Sequence, residues 1–331
     1  MIRPTLLLAL PLLLIGCGSP TTAENAANAN KEGKFRVGMV FDSGGKGDKS
    51  FNDSAYSGLE KAKADMGIEF QTVDSKAMKD YEGNLATLAA KGFDVVFAIG
   101  ITQKEALEKV APRFPKVKFA IVDADIRAPN VRGLLFAEEE GSYLAGMAAG
   151  LATKTNKIGF VGGMSIPLIK KFEAGYFAGA KAANPNVVAL PSKYTENWVD
   201  ASTGKAAAQA LFASGADVVF HASGRCGIGV IAAAKDAGKL AIGVDSDQDD
   251  AAPGNVLTSM VKRVDRAVYA TIADAKKGAF TAGPKKYDLK DDGVGLTDFR
   301  HTKDRLPAGA LEKIAAARKA IVEGTIKVPT Q

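Results

Sequence analysis

Cysteine and histidine are scarce in this 331-residue chain: Cys17 and Cys226, His221 and His301. Cys17 sits at the end of an N-terminal apolar run. The body therefore has one thiol, and no internal disulfide can staple it. With two histidines and no evident nucleophile–base pair, catalysis finds little support. His221 reads as a satisfied buried or rim histidine and Cys226 as a plain buried thiol, since no electropositive context accompanies it. Aromatic residues make up 7% of the chain, with a single tryptophan, and the lysines and arginines are scattered. The net charge of +6 thus describes a solvated surface and argues against nucleic acid as a partner. No apolar run beyond the leader is long enough to span a bilayer. No helix-turn-helix precedes Phe35, which counts against a DNA-binding regulator.

The first residues are those of an export signal. Arg3 precedes a short apolar run, Leu6 to Ile15, that ends in Leu14-Ile15-Gly16-Cys17. This tetrapeptide resembles the bacterial lipobox, in which small residues admit the peptidase and the cysteine thiol takes a diacylglycerol. An ordinary signal peptide with an incidental cysteine is the alternative. The expectation is a lipoprotein signal peptide over 1–16, lipidation at Cys17, and a flexible tether rich in Ala, Asn and Thr over 17–34. The protein is then exported and lipid-anchored on the extracytoplasmic face of the cell membrane.

The remainder repeats itself. Val37-Gly38-Met39-Val40 returns as Ile158-Gly159-Phe160-Val161, Phe51 as Phe172, and Gly58 as Gly179. Gly92 to Phe97 returns as Gly215 to Phe220, and Asp123-Ala124-Asp125 as Asp245-Ser246-Asp247. A period of about 120 residues is the size of a domain, not of a solenoid unit, so it predicts two similar lobes. Within each, β-rich runs (36–41, 68–73, 94–99, 118–122, 133–136; then 157–161, 187–190, 217–221, 240–244, 256–260) alternate with helical stretches such as 53–65, 81–91, 170–183 and 227–237. Such alternation gives α/β lobes with doubly wound parallel sheets. Ligands of such sheets sit beyond the carboxyl ends of the strands, so function is sought in those loops.

The densest loop runs from Asp42 to Asn52. Its Lys49-Ser50 pair follows Asp48 where a phosphate loop needs glycine, and Ser50 stands where a dinucleotide fingerprint needs its third glycine. Its aspartates would repel a phosphate, so the glycines suit close approach to a neutral ligand. Phe51 and its repeat Phe172, placed across a cleft, could sandwich a flat heterocycle. The run Asp245 to Asp250 fails the calcium-loop spacing, with Asp250 at the glycine position and Val256 at the last glutamate position. Asp245 at a strand end could instead accept two sugar hydroxyls, with Lys262 bonding the same hydroxyls and balancing the charge.

Five blocks together resemble the basic membrane lipoprotein family, which includes purine nucleoside receptors of ABC importers. They are Asp48 to Asn52, Glu140 to Gly146, Gly162-Gly163-Met164 with Phe172 to Tyr176, Asn197 to Asp200, and Gly243 to Gln248. The resemblance implies a type I periplasmic-binding-protein fold whose two lobes are joined by a three-crossover hinge. By the strand count and the family pattern, the lobes comprise 35–139 plus 263–290 and 140–262 plus 291–331. It also implies that Phe51 and Phe172 stack a base, that Asn52, Asp48 and Asp123 bond its edge, and that Asp245, Lys262 and Gly224 hold the ribose. The chain departs from the family pattern at Ser223 to Gly227. The resulting expectation is a monomeric, cofactor-free receptor, not an enzyme, that captures a nucleoside and passes it to ABC permease subunits. A receptor for another flat heterocycle such as riboflavin, or a metal-dependent nucleoside hydrolase, are the alternatives.

Overall fold

The computed structural model describes Met1 and residues 33–331; the leader, Cys17 and all but the end of the tether lie outside the described residues. The first lobe opens with β1 (Arg36–Phe41), α1 (Phe51–Met66), β2 (Glu69–Asp74), α2 (Tyr81–Ala90), β3 (Val95–Ala98), α3 (Lys104–Val110), β4 (Lys118–Val122) and β5 (Val131–Phe136). The second lobe opens with α4 (Glu138–Ala152), β6 (Lys157–Gly162), α5 (Pro167–Ala183), β7 (Val188–Ala189), β8 (Lys193–Tyr194), α6 (Ala201–Ala213) and β9 (Val218–Ala222). It continues through α7 (Cys226–Asp236), β10 (Leu240–Asp245) and β11 (Val256–Lys262). The chain then returns for α8 (Val264–Lys276) and β12 (Gly283–Tyr287), and crosses again to β13 (Val294–Leu296) and α9 (Ala310–Val322).

Among the described residues, the first sheet has the order β12-β5-β4-β3-β1-β2 and is parallel throughout. The second runs β13-β11-β10-β9-β6-β7, with β8 also on β6, and is parallel except for β13 against β11. The central strands are apolar on both faces, as in Val95–Ala98 and Val218–Ala222, because helices cover both sides. Three passages join the lobes: β5 to α4, β11 to α8, and β12 to β13.

The repeat is visible as an exchange of helices. The helix following β5 packs in the second lobe on α5, while the helix following β11 packs in the first lobe on α1. The repeated glycines make both packings possible. A Cβ on Gly179 would stand 1.9 Å from the Tyr143 carbonyl oxygen of α4, and one on Gly58 would stand 2.5 Å from the Asp265 carbonyl oxygen of α8. Asp123 and Asp245 match in backbone as well as in sequence, both left-handed at their strand ends (φ 70° and 63°).

Periodicity missed β8, β12 and β13, and overextended 187–190, of which Val188 and Ala189 alone form a strand, with both side chains exposed. β12 is a lysine-bearing edge strand and the other two span three residues or fewer, so none carries an apolar alternation.

Candidate functional site

The carboxyl ends of both sheets face each other across a cleft of about 610 Å³, part of it open to solvent. All eight residues singled out as ligand contacts line it: Asp48, Phe51, Asn52 and Asp123 from the first lobe, and Phe172, Gly224, Asp245 and Lys262 from the second. Sequence reasoning passed over Asp42, Thr102, Leu168, Trp198 and Arg225, which also line it. Asp42 and Arg225 lie in loops already singled out, and Trp198 in a family block, so strand-end position was the usable signal. Trp198 is held by its contact with Gly163, where any Cβ would come within 2.1 Å of the indole.

The aspartates of the β1–α1 loop do different work from one another. Asp48 accepts from the backbone N–H groups of Ser50 (2.9 Å), Asn52 (2.8 Å) and Asp53 (3.1 Å), and from Asn52 Nδ2 (3.2 Å). It thereby satisfies the open N–H groups at the start of α1. Four donors fill the carboxylate, so the expectation that Asp48 bonds a base gives way to a supporting role. Burial pushes its carboxyl above the ordinary range. Asn52 donates from Nδ2 to Asp42 Oδ1 (2.9 Å) as well, which fixes the amide orientation and leaves its buried Oδ1 without a partner. Burial pushes Asp42 up to about 6. Asp53 accepts from Gly47 N (2.7 Å) and Lys49 N (2.9 Å). The loop amides that would cradle a phosphate are therefore already spent on carboxylates.

Lys262 ends β11 and is 1% exposed. Its Nζ lies 2.6 Å from Asp123 Oδ1 and 3.1 Å from Glu138 Oε1, and against the rings of Phe51 (5.3 Å to the centroid), Phe172 (5.6 Å) and Phe136 (5.0 Å). Lys262 opposes the charge of Asp245 through space, while its direct partners are Asp123 and Glu138, because the passage from β5 to α4 brings Glu138 to the end of β11. Glu138 was not anticipated, since no local pattern marks it. Burial alone would lower the Lys262 pKa, but Asp123, Glu138 and Asp245 together hold it above its ordinary value. Three carboxylates facing one ammonium are too many, and burial pushes Asp123 up to about 6 and Asp245 up to about 7. Asp245 Oδ2 lies 2.6 Å from Ser50 Oγ, across the cleft.

The other residues after β10 diverge. Asp247 pairs with Arg300 (2.9 Å), Asp249 accepts from Ser259 Oγ (2.8 Å) and Thr297 Oγ1 (3.0 Å), and Asp250 meets His301 (2.7 Å). Among the described residues, no cluster of three His, Cys, Asp or Glu side chains could hold a metal ion. Cys226 is buried, its Sγ 3.2 Å from Asn197 Oδ1.

Two parallel-sheet lobes closing over a cleft with apolar rings and buried charges define a solute-binding protein of the periplasmic-binding-protein type. The chain belongs to the Bmp family, described as "ABC transporter substrate-binding protein PnrA-like", which matches residues 35–331. It is a family of transporter receptors and not of enzymes. The chain is 39% identical to the "CD4+ T-cell-stimulating antigen" of Listeria monocytogenes, over 98% of this chain and 96% of that one. It is 34% identical to the "ABC transporter nucleoside-binding protein BmpA" of Lactococcus lactis, over 98% and 97%. Among solved structures, an ABC transporter solute-binding protein from Aeropyrum pernix K1 superposes with a TM-score of 0.82 at 29% identity, covering 90% of this chain and 94% of that one.

Proposed function

We propose that this protein captures nucleosides, purine nucleosides first among them, between its lobes and presents them to the permease of an ABC importer. The observation that carries this reading is the meeting of Phe51 and Phe172, from opposite lobes, in one cleft with Asp245. Two rings serve a flat base, and a buried carboxylate serves a diol. Asn52 Oδ1, buried and unpartnered, is the acceptor for a ring N–H, with Asp123 beside it. Gly224, left-handed at φ 55°, lets backbone approach the sugar without a side chain intervening. The 34% identical lactococcal relative named for nucleoside binding supports the same reading.

Mass spectrometry of the ligand retained through native purification tests it directly. A nucleoside is the expected find; riboflavin or another heterocycle would replace this reading. Phe51→Ala and Phe172→Ala are each expected to weaken inosine binding by roughly 1–3 kcal/mol, from lost stacking and lost burial. Titration calorimetry giving unchanged affinity in both variants would return these rings to a purely structural role.

Anchorage rests on the sequence, since Cys17 lies outside the described residues. We infer a diacylglycerol thioether at Cys17 and a tether leading to the first lobe on the extracytoplasmic side. Cys17→Ser should abolish incorporation of labelled palmitate and leave precursor or a released form. Labelling that persists in the variant would count against the anchor.

A further inference from the structure

The loop from Gly44 to Ser50 is polarised. Four of its N–H groups turn to carboxylates of its own lobe: Gly44 to Asp42 (2.9 Å), Gly47 and Lys49 to Asp53, and Ser50 to Asp48. Four of its carbonyls turn to the second lobe, Ser50 O while also accepting from Ser54 N of α1 (3.0 Å). Gly44 O accepts from Arg225 Nε (3.3 Å) and Nη2 (2.8 Å), and Lys46 O from the same Nη2 (2.7 Å). Lys49 O accepts from Gln248 Nε2 (3.0 Å), and Ser50 O from Ser246 Oγ (2.9 Å). Left-handed backbone at Gly45 (φ 59°), Gly47 (φ 86°) and Lys49 (φ 53°) permits this alternation of peptide planes.

The Gln248 amide has only one workable orientation. Its Oε1 accepts from Val244 N (2.9 Å), an obligate donor, so Nε2 must face Lys49. His221 Nε2, 3.0 Å from the same Oε1, must then carry the ring proton, and Nδ1 accepts from Ser223 Oγ (3.4 Å). Burial lowers the His221 pKa to about 4, so the ring stays neutral and this donor pattern holds at ordinary pH.

We propose that the loop is a clasp, bolted by Arg225 and by a Gln248 that His221 positions, and that it sets how long the closed cleft retains any ligand. The proposal rests on the binding-protein reading and adds to it that residence time is governed by bonds between lobes and not only by bonds to the ligand. Because the recipients are backbone carbonyls, the clasp is indifferent to what the cleft holds.

Trp198, the sole tryptophan and part of the cleft wall, provides a fluorescence signal for stopped-flow measurement with inosine and 2′-deoxyinosine. Arg225→Ala should raise the dissociation rate about 10-fold or more by the same factor for both ligands, with association little changed, as expected when a charge-assisted bond worth on the order of 1.5–3 kcal/mol is lost. Arg225→Lys should fall between. Gln248→Leu and His221→Leu should each raise the rate, and the double variant should add nothing beyond Gln248→Leu, since both break one connection. An unchanged dissociation rate, a factor that differs between ligands, or additive effects of the last pair would overturn the clasp. Absence of any inosine signal in the wild type would instead count against the nucleoside reading. The clasp is then tested on the ligand that native purification retains: the Arg225→Ala/Gln248→Leu variant should lose it faster than wild type on dialysis, and equal rates of loss would overturn it.

Discussion

Lys262→Met should destabilise the protein by roughly 3–5 kcal/mol, the cost of stripping a buried ion pair of one partner. Asp123 and Glu138 would be left facing each other with side chains 6% and 1% exposed. The methionine fills most of the lysine's volume, so packing loss alone does not reach that figure. In a chain of this size, the drop corresponds to on the order of 10 °C in melting temperature. The pH dependence separates charge from packing. Protonation of Asp123, which burial already pushes up to about 6, removes the repulsion, so the deficit against wild type should shrink at pH 5 and grow at pH 8. Adding Asp123→Asn and Glu138→Gln should recover much of the loss at pH 8. Thermal melts showing the same deficit at both pH values would mean that the ammonium acts by shape alone.

Asp245→Asn should weaken inosine binding by about 10²-fold or more while costing 2′-deoxyinosine less, because the carboxylate accepts two charge-assisted bonds from a diol and one from its deoxy form. Free hypoxanthine offers this carboxylate nothing and should bind weakly to the wild type. Inosine monophosphate should also bind weakly, since the loop amides are already taken and Asp42 and Asp245 stand in the cleft.

The same residue carries a pH signature. Ser50 Oγ has one hydrogen but two acceptors within reach, Asp245 Oδ2 at 2.6 Å and the Val244 carbonyl at 3.2 Å. Both bonds form only when Asp245 is itself protonated, and burial, with Asp48 and Asp123 nearby and only Lys262 opposing them, pushes it up to about 7. A folded-state pKa raised above the unfolded value means stability fully present below pH ~4 and lost as pH rises through about 7. A ribose diol requires the ionised form. Nucleoside affinity should therefore rise between pH 6 and 8, with a proton released on binding, while the ligand-free protein loses melting temperature from pH ~4 to about 7 and levels off above it. Calorimetry in buffers of different ionisation enthalpy measures the proton directly. Affinity that is flat from pH 6 to 8 would sink the assignment of the diol to Asp245.

Much of this was legible in the chain. The repeat gave two lobes because equivalent strands and helices need equivalent side chains, and the central strands matched to within a residue or two. Phe51, Phe172, Asp123 and Asp245 stood out because they recur at strand ends and helix starts, where such sheets present ligands. Helix α4 offered no amphipathic stripe: its glycines and alanines are buried nearly all round, between α5 on one side and β11, β13 and α9 on others. Asp48 was misjudged for a local reason, since a carboxylate aimed at a ligand and one aimed at a helix start look alike in sequence.

The sequence alone determined the two-lobed architecture and marked eight of the residues that line the cleft, because burial patterns and glycine positions are local requirements that each segment states for itself. Only the tertiary structure decided who pairs with whom. Lys262 meets Glu138 across 124 positions because two crossovers end side by side at the hinge, and Arg225 reaches Gly44 across 181 positions because the lobes close. Charge has no periodicity, and a buried ion takes as its partner whatever the fold brings within a few ångströms.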